Sequence, residues 1–113
     1  MLKAYKIPFD TEKDFGVCYP DSDKPFRFDF FVNGKYVIEF DGIQHFRPVD
    51  YYGGEKSFHI QQWRDKYKNE FCLKNNIPII RIPYTKIGRI MLKDLKPETS
   101  EFLVYKVDKN KKF

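Results

Sequence analysis

A chain of 113 residues has room for one domain around one core, and its 12 Phe and 8 Tyr beside 33% charged residues exclude wholesale disorder. The excess of 21 Lys+Arg over 16 Asp+Glu leaves +5, which favours polyanions such as nucleic acid or a phosphate-rich membrane surface as partners. Cys18 and Cys72 make no CxxC and no second pair, so zinc modules are excluded and reduced thiols expected; with no signal peptide and no window near the roughly 20 apolar residues of a membrane span, the sequence reads as soluble, intracellular and not membrane-bound.

Residues 1–25 carry turn signals at Pro8-Phe9-Asp10 and from Tyr19 to Pro25, and read as one short strand and a loop. Phe26 to Val32 and Tyr36 to Phe40 are aromatic and β-branched runs on either side of Asn33-Gly34, the strongest short hairpin signal. Phe46 to Lys56 holds Pro48 and Gly53-Gly54 and reads as a loop. Ser57 is placed to cap a helix running to about Asn75, with Ile60, Trp63, Tyr67 and Phe71 as its core face and Gln61, Asp65, Lys68 and Asn69 on a different side. Asn75-Asn76 suits a left-handed helix end, and Ile77 to Tyr84 follows as a strand near a sheet edge, so that helix and strand form a crossover. Ile87 to Leu95 reads equally as helix or strand, Phe102 to Val107 as a strand, and Lys109 to Phe113 as a basic tail. The fold class is therefore α/β: a small mixed sheet with a hairpin, a crossover helix and a further strand, in one domain over residues 1–113.

The hairpin is also where chemistry concentrates. Asp29, Glu39 and Asp41 lie in a strongly apolar setting, followed at once by Gln44 and His45. An ionised carboxylate inside a sheet costs several kcal/mol unless a cation or strong donor meets it, which makes Mg²⁺ a natural partner. The turn decides whether these groups meet, because facing residues across a hairpin share one side of the sheet. A two-residue turn at Asn33-Gly34 sends Asp29 and Glu39 to opposite faces. A three-residue turn through Lys35, or one bulge, sets Asp29 against Glu39 with Asp41 on the same face. A metal-dependent site requires the second register.

Taken together, Arg27-Phe28-Asp29-Phe30, Ile38 to Phe46, Gly53-Gly54, Arg64 to Glu70 and Ile80 to Tyr84 resemble endonucleases of the PD-(D/E)xK superfamily, nearest to very-short-patch-repair and phage homing endonucleases. The resemblance implies a nuclease core in which Asp29 and Glu39 or Asp41 bind Mg²⁺ or Mn²⁺ and polarise a scissile phosphate. It assigns proton transfer to His45, beside Gln44, with Asp65 in support. Arg27, Arg64, Lys66, Lys68 and Arg81, with Lys109, Lys111 and Lys112 of the tail, are the candidate DNA contacts. The sequence departs from the pattern in two places. Asp41 stands where the superfamily usually has a lysine, and only Met1 to Lys6 precede the first strand, where relatives carry a helix with a further active-site glutamate; the core is expected to be N-terminally trimmed.

The function expected from this reading is phosphodiester hydrolysis in DNA, in the cytoplasm of a bacterial host if phage-encoded. The alternative is a catalytically weak or inactive nuclease-fold module that docks on nucleic acid or a host protein. Competing readings of single residues are an ion pair of Asp29 with Arg27 or Arg81, a strand-ending turn at Asp41-Gly42, and a solvated helix charge at Asp65. Without the first helix, one apolar sheet face needs cover from residues 87–107, from a second copy in a homodimer, or from a partner protein.

Overall fold

The structure, a computed structural model, describes residues 7–23, 25–42 and 54–104 of the 113. Four strands, β1 (Phe9–Cys18), β2 (Pro25–Val32), β3 (Tyr36–Asp41) and β4 (Ile79–Pro83), form one sheet in the order β1-β2-β3-β4. The first three run antiparallel, and β4 lies parallel to β3. Parallel neighbours need a crossover, here α1 (Gly54–Lys74). The mixed α/β fold read from the sequence is thus present.

β1 differs from the single short strand expected in the first 25 residues. It runs for 10 residues, takes in Phe9 and Asp10 of the anticipated turn, and carries positive φ at Glu12 (52°) and Gly16 (76°). Pairing with β2 holds together a sequence that has no clean alternation of its own, while charges and two kinks blunt its outer edge. The turn after β1 forms where Pro20 and Asp21 placed it, closed by Ser22 N–H donating to Tyr19 O at 3.1 Å.

The helix starts three residues before Ser57, which lies inside its first turn rather than capping it. Its end is as the sequence implied. Asn76 sits at φ 57°, Ile77 N–H reaches Cys72 O at 2.8 Å and Asn76 N–H reaches Leu73 O at 3.2 Å, the paired bonds of a Schellman cap. Tyr67 and Phe71 pack on the sheet with Phe26, Phe28, Val37, Cys72 and Ile79. Ile60 and Trp63, expected on the same core face, remain 41% and 42% exposed.

The opposite sheet face carries Val32, Tyr36, Ile38, Ile80 and Ile82, covered by Leu95 and packed against by Ile90, Phe102 and Leu103. Ile87 to Leu95, which the sequence allows as helix or strand, spans parts of two short 3-10 helices, Tyr84–Arg89 and Leu92–Leu95, joined by extended Ile90 and Met91. Tyr36 Oη donates to Leu95 O at 2.6 Å and fixes this cover to the sheet. Of the expected strand from Phe102, a single antiparallel bridge, Ile80 to Leu103, forms on the outer edge of β4, and residues 105–107 lie outside the described ones. The segment that follows β4 therefore covers the face for which a second copy or partner was an alternative.

Candidate active site

The three-residue turn is the one that forms. Asn33 and Gly34 adopt left-handed backbone (φ 53° and 64°), Lys35 N–H closes on Val32 O at 3.0 Å, and Val32 pairs with Tyr36, Phe31 with Val37 and Phe30 with Ile38. One step further along this register, Asp29 meets Glu39. The ladder changes character there. Phe30 packs on the face covered by Leu95, whereas both Phe28 and Phe31 pack on the helix side, so strict alternation breaks between Phe28 and Phe30. Opposite this break on β1 lies Glu12, with its positive φ.

Backbone groups released by such a break need other partners, and the two acids supply them. Asp29 N–H donates to Glu39 Oε1 and Phe40 N–H donates to Asp29 Oδ2, each at 2.8 Å. The carboxylates thus lie side by side and close the hairpin where the ladder gives out.

Around them the polar stripe of α1 faces inward. Lys68 Nζ sits 3.1 Å from Glu39 Oε2, donates to Arg27 O at 2.6 Å and lies 5.2 Å from the centre of the Phe28 ring. Glu39 is 5% exposed, and burial pushes its carboxyl above the ordinary range; the Lys68 charge pulls it back and the neighbouring Asp29 charge adds to the rise. A second cluster lies one step along the sheet. Arg81, opposite Glu39 on β4, donates to Asp41 Oδ1 at 2.8 Å, Asn69 Oδ1 at 2.7 Å and Asp65 O at 3.2 Å, and its Nη1 lies 3.5 Å from Asp65 Oδ1. Gln61 donates to the same Asp65 oxygen at 2.9 Å. Tyr19 stands where the aromatic and polar sides of the helix meet; burial first, then the Glu39 charge, pushes its phenol up to about 12.

Of the residues expected at the site, Asp29 and Glu39 come together, and Asp41 and Asp65 join through Arg81. Asp41, expected among the metal-binding carboxylates, is held by the Arg81 guanidinium. The arginine partner considered for Asp29 serves Asp41, and Asp65 is no solvated helix charge, its side chain being 17% exposed. Gln44 and His45 lie outside the described residues, as do Lys109, Lys111 and Lys112. Lys68 and Arg81, expected against DNA, are turned inward as counter-ions with side chains 13% and 11% exposed. Arg27 and Lys66 are exposed, and Arg64 pairs with Asp21 at 3.1 Å. Sequence reasoning missed Lys68 and Asn69 as groups that neutralise and orient the site. The signal was present in the recurrence of Gln61, Asp65, Lys68 and Asn69 at helical spacing beside the aromatic stripe.

The charge argument for a metal is met in part by these internal cations. Among the described residues no group of three or more His, Cys, Asp or Glu is gathered closely enough to hold an ion. Two carboxylates fit a Mg²⁺ that completes its shell with water and phosphate, and Asp29 and Glu39 are such a pair.

No protein-family model and no solved structure matches the sequence. It is similar to uncharacterized protein 094L of Frog virus 3 (isolate Goorha), 33% identical over 73% of this chain and 57% of that protein. It is also similar to uncharacterized protein 307L of Invertebrate iridescent virus 6, 35% identical over 56% of this chain and 34% of the relative, and to uncharacterized protein 033L of Invertebrate iridescent virus 3, 34% identical over 83% and 47%. The chain spans about half the length of the relatives it matches. No helix among the described residues is long and apolar enough to cross a membrane.

Proposed function

We propose that this chain is a nuclease-fold domain of the PD-(D/E)xK type that hydrolyses phosphodiester bonds in DNA, with Mg²⁺ or Mn²⁺ held by Asp29 and Glu39. The observation that supports this reading is the reciprocal pair of bonds by which each of those two carboxylates accepts from a backbone N–H of the other's strand, at the break in the β2–β3 ladder reached through the three-residue turn. When bound, the ion would offset charge on the phosphoryl oxygens and lower the pKa of a coordinated water. The protein's own groups do the rest. Phe40 N–H fixes Asp29 and Asp29 N–H fixes Glu39, so both acids are oriented before any ligand arrives. Lys68 neutralises Glu39, and with an ion held by the acids its ammonium would be available to a phosphate oxygen. Arg81 locks Asp41, Asp65 and Asn69 into one unit that holds α1 against β3 and β4. His45, beside Gln44, is assigned proton transfer, with Asp65 in support, as the resemblance implies.

The second reading, a module that binds nucleic acid or a host protein without turnover, is favoured by the saturation of Glu39 and Asp41 by Lys68 and Arg81. Metal binding separates the two. On the first reading, millimolar Mn²⁺ raises the melting temperature, by about 2.7 kcal/mol of stability at a hundredfold excess over Kd, and Asp29→Asn abolishes the shift. A melting temperature that ignores Mn²⁺ in the wild type favours the second.

A further inference from the structure

Near the start of α1, a group of aromatic rings reaches the surface. Trp63 stacks on Tyr67 at 5.9 Å between ring centres with 30° between planes, and Tyr19 lies 6.3 Å from Trp63 and 5.7 Å from Tyr67. The Arg64 guanidinium sits 4.9 Å over the Tyr19 ring. Trp63 and Ile60 are 42% and 41% exposed and, with Asp21 and His59, line a shallow recess of about 350 Å³. These rings buttress one another from behind and leave an apolar face in solvent.

Charge identifies the occupant. Arg64 spends one nitrogen on Asp21 in a half-exposed pair, which is weakly held and screened by salt, and its buried Nε has no hydrogen-bond partner among the described residues. Lys56 and Lys66 are exposed on the same helix. A π-face flanked by a guanidinium and lysines, in a protein of +5, suits a base whose own strand carries phosphates. The shelf also adjoins the acids along one helix, since Trp63 and Tyr67 border Arg64 and Lys68, and Lys68 pairs with Glu39. Paired bases hide their faces in the stack, so the base must be unpaired.

We infer that Trp63, backed by Tyr19 and Tyr67 and flanked by Arg64, is a stacking shelf for an unpaired base of single-stranded DNA whose backbone leads to the Asp29–Glu39 pair. The choice of DNA rests on the proposed nuclease reading; the stacking requires no turnover.

Trp63 is the only tryptophan in the sequence, so its emission reports on the shelf itself. The 113-residue chain is titrated in EDTA with a labelled thymidine dodecamer, following oligonucleotide anisotropy and tryptophan emission together. Saturable quenching that tracks binding is expected, with a duplex of equal length quenching far less. Trp63→Ala should weaken single-strand binding roughly 5- to 150-fold, the range for loss of one base–aromatic stack, and Trp63→Phe should retain most of it. Binding with unchanged emission in the wild type overturns the shelf whether or not any variant folds. Equal quenching by the duplex overturns the requirement for an unpaired base, and equal quenching by a uridine RNA dodecamer overturns the assignment to DNA. Quenching without metal-dependent cleavage leaves the shelf standing and removes the nuclease; cleavage without quenching does the reverse.

Discussion

Replacing Lys68 with Met removes the cation that neutralises Glu39 and leaves a carboxylate 5% exposed without its ion partner. Both side chains are well buried, at 13% and 6% exposure, so screening by solvent discounts the effect little. Breaking a buried pair from one side costs about 3–5 kcal/mol, on the order of 10–20 °C in melting temperature for a domain of this size. The deficit depends on pH in a definite direction. Burial raises the folded pKa of Glu39 above its ordinary 4.5, so the folded state holds the extra proton in the interval between the two values. Stability linked to Glu39 is therefore fully present below that ordinary value and lost as pH rises through the folded one. Removing Lys68 takes away the largest opposing influence and extends the loss to higher pH. Urea unfolding followed by circular dichroism should show Lys68→Met close to wild type near pH 4 and fully destabilised at pH 8, with Glu39→Gln recovering part of the loss in the double variant. A deficit under about 1 kcal/mol at pH 8, or one equal at both pH values, refutes the ion pair as a stabilising element.

Arg81→Lys keeps the charge but cannot reach Asp41, Asn69 and Asp65 together; it should cost about 2 kcal/mol or more in urea unfolding, and a neutral result contradicts the fork. Tyr36→Phe removes the bond to Leu95 O and should cost about 1–2 kcal/mol while speeding proteolysis of residues 84–103. Burial pushes the Tyr36 phenol up to about 12, so the stability linked to it is intact below pH 10 and disappears as pH rises through about 12, measurable as a fall in melting temperature over that interval. Gly34→Ala meets no steric neighbour but places a Cβ at φ 64°, and should lose about 1 kcal/mol by thermal unfolding. Deleting residues 87–113 exposes Ile80, Ile82 and Ile38 and should give aggregates by light scattering; a soluble monomer would show that the face needs no cover.

The parts of the fold legible in the sequence are those with strong local signals. Asn33-Gly34 marked the hairpin, Tyr67 and Phe71 one turn apart marked the buried end of the helix, and Asn76 marked its close. The register was legible only as a choice, since Asn-Gly serves a two-residue turn as readily as the three-residue one that forms. β1 was underestimated because its charges and kinks obey no period, and only pairing with β2 makes it a strand. The residues after β4 were one of three candidate covers for the second face, but the form of that cover was not legible, since a short 3-10 helix spans too few residues to show periodicity. At the site, Asp29 and Glu39 were legible because acids in an apolar hairpin are conspicuous. The inward turn of Lys68 and Arg81 was not, because a basic residue in a basic protein looks the same whether it meets a phosphate or a buried carboxylate; only the sheet placing Glu39 and Asp41 beneath them decides.

The most direct test is conversion of supercoiled plasmid to open circles by the purified protein. With Mn²⁺ or Mg²⁺ the wild type should nick, EDTA should stop it, and Asp29→Asn and Glu39→Gln, each checked for native circular dichroism, should be inactive. Absence of nicking with either metal, or nicking that persists undiminished in Asp29→Asn, would contradict phosphodiester hydrolysis at the Asp29–Glu39 pair.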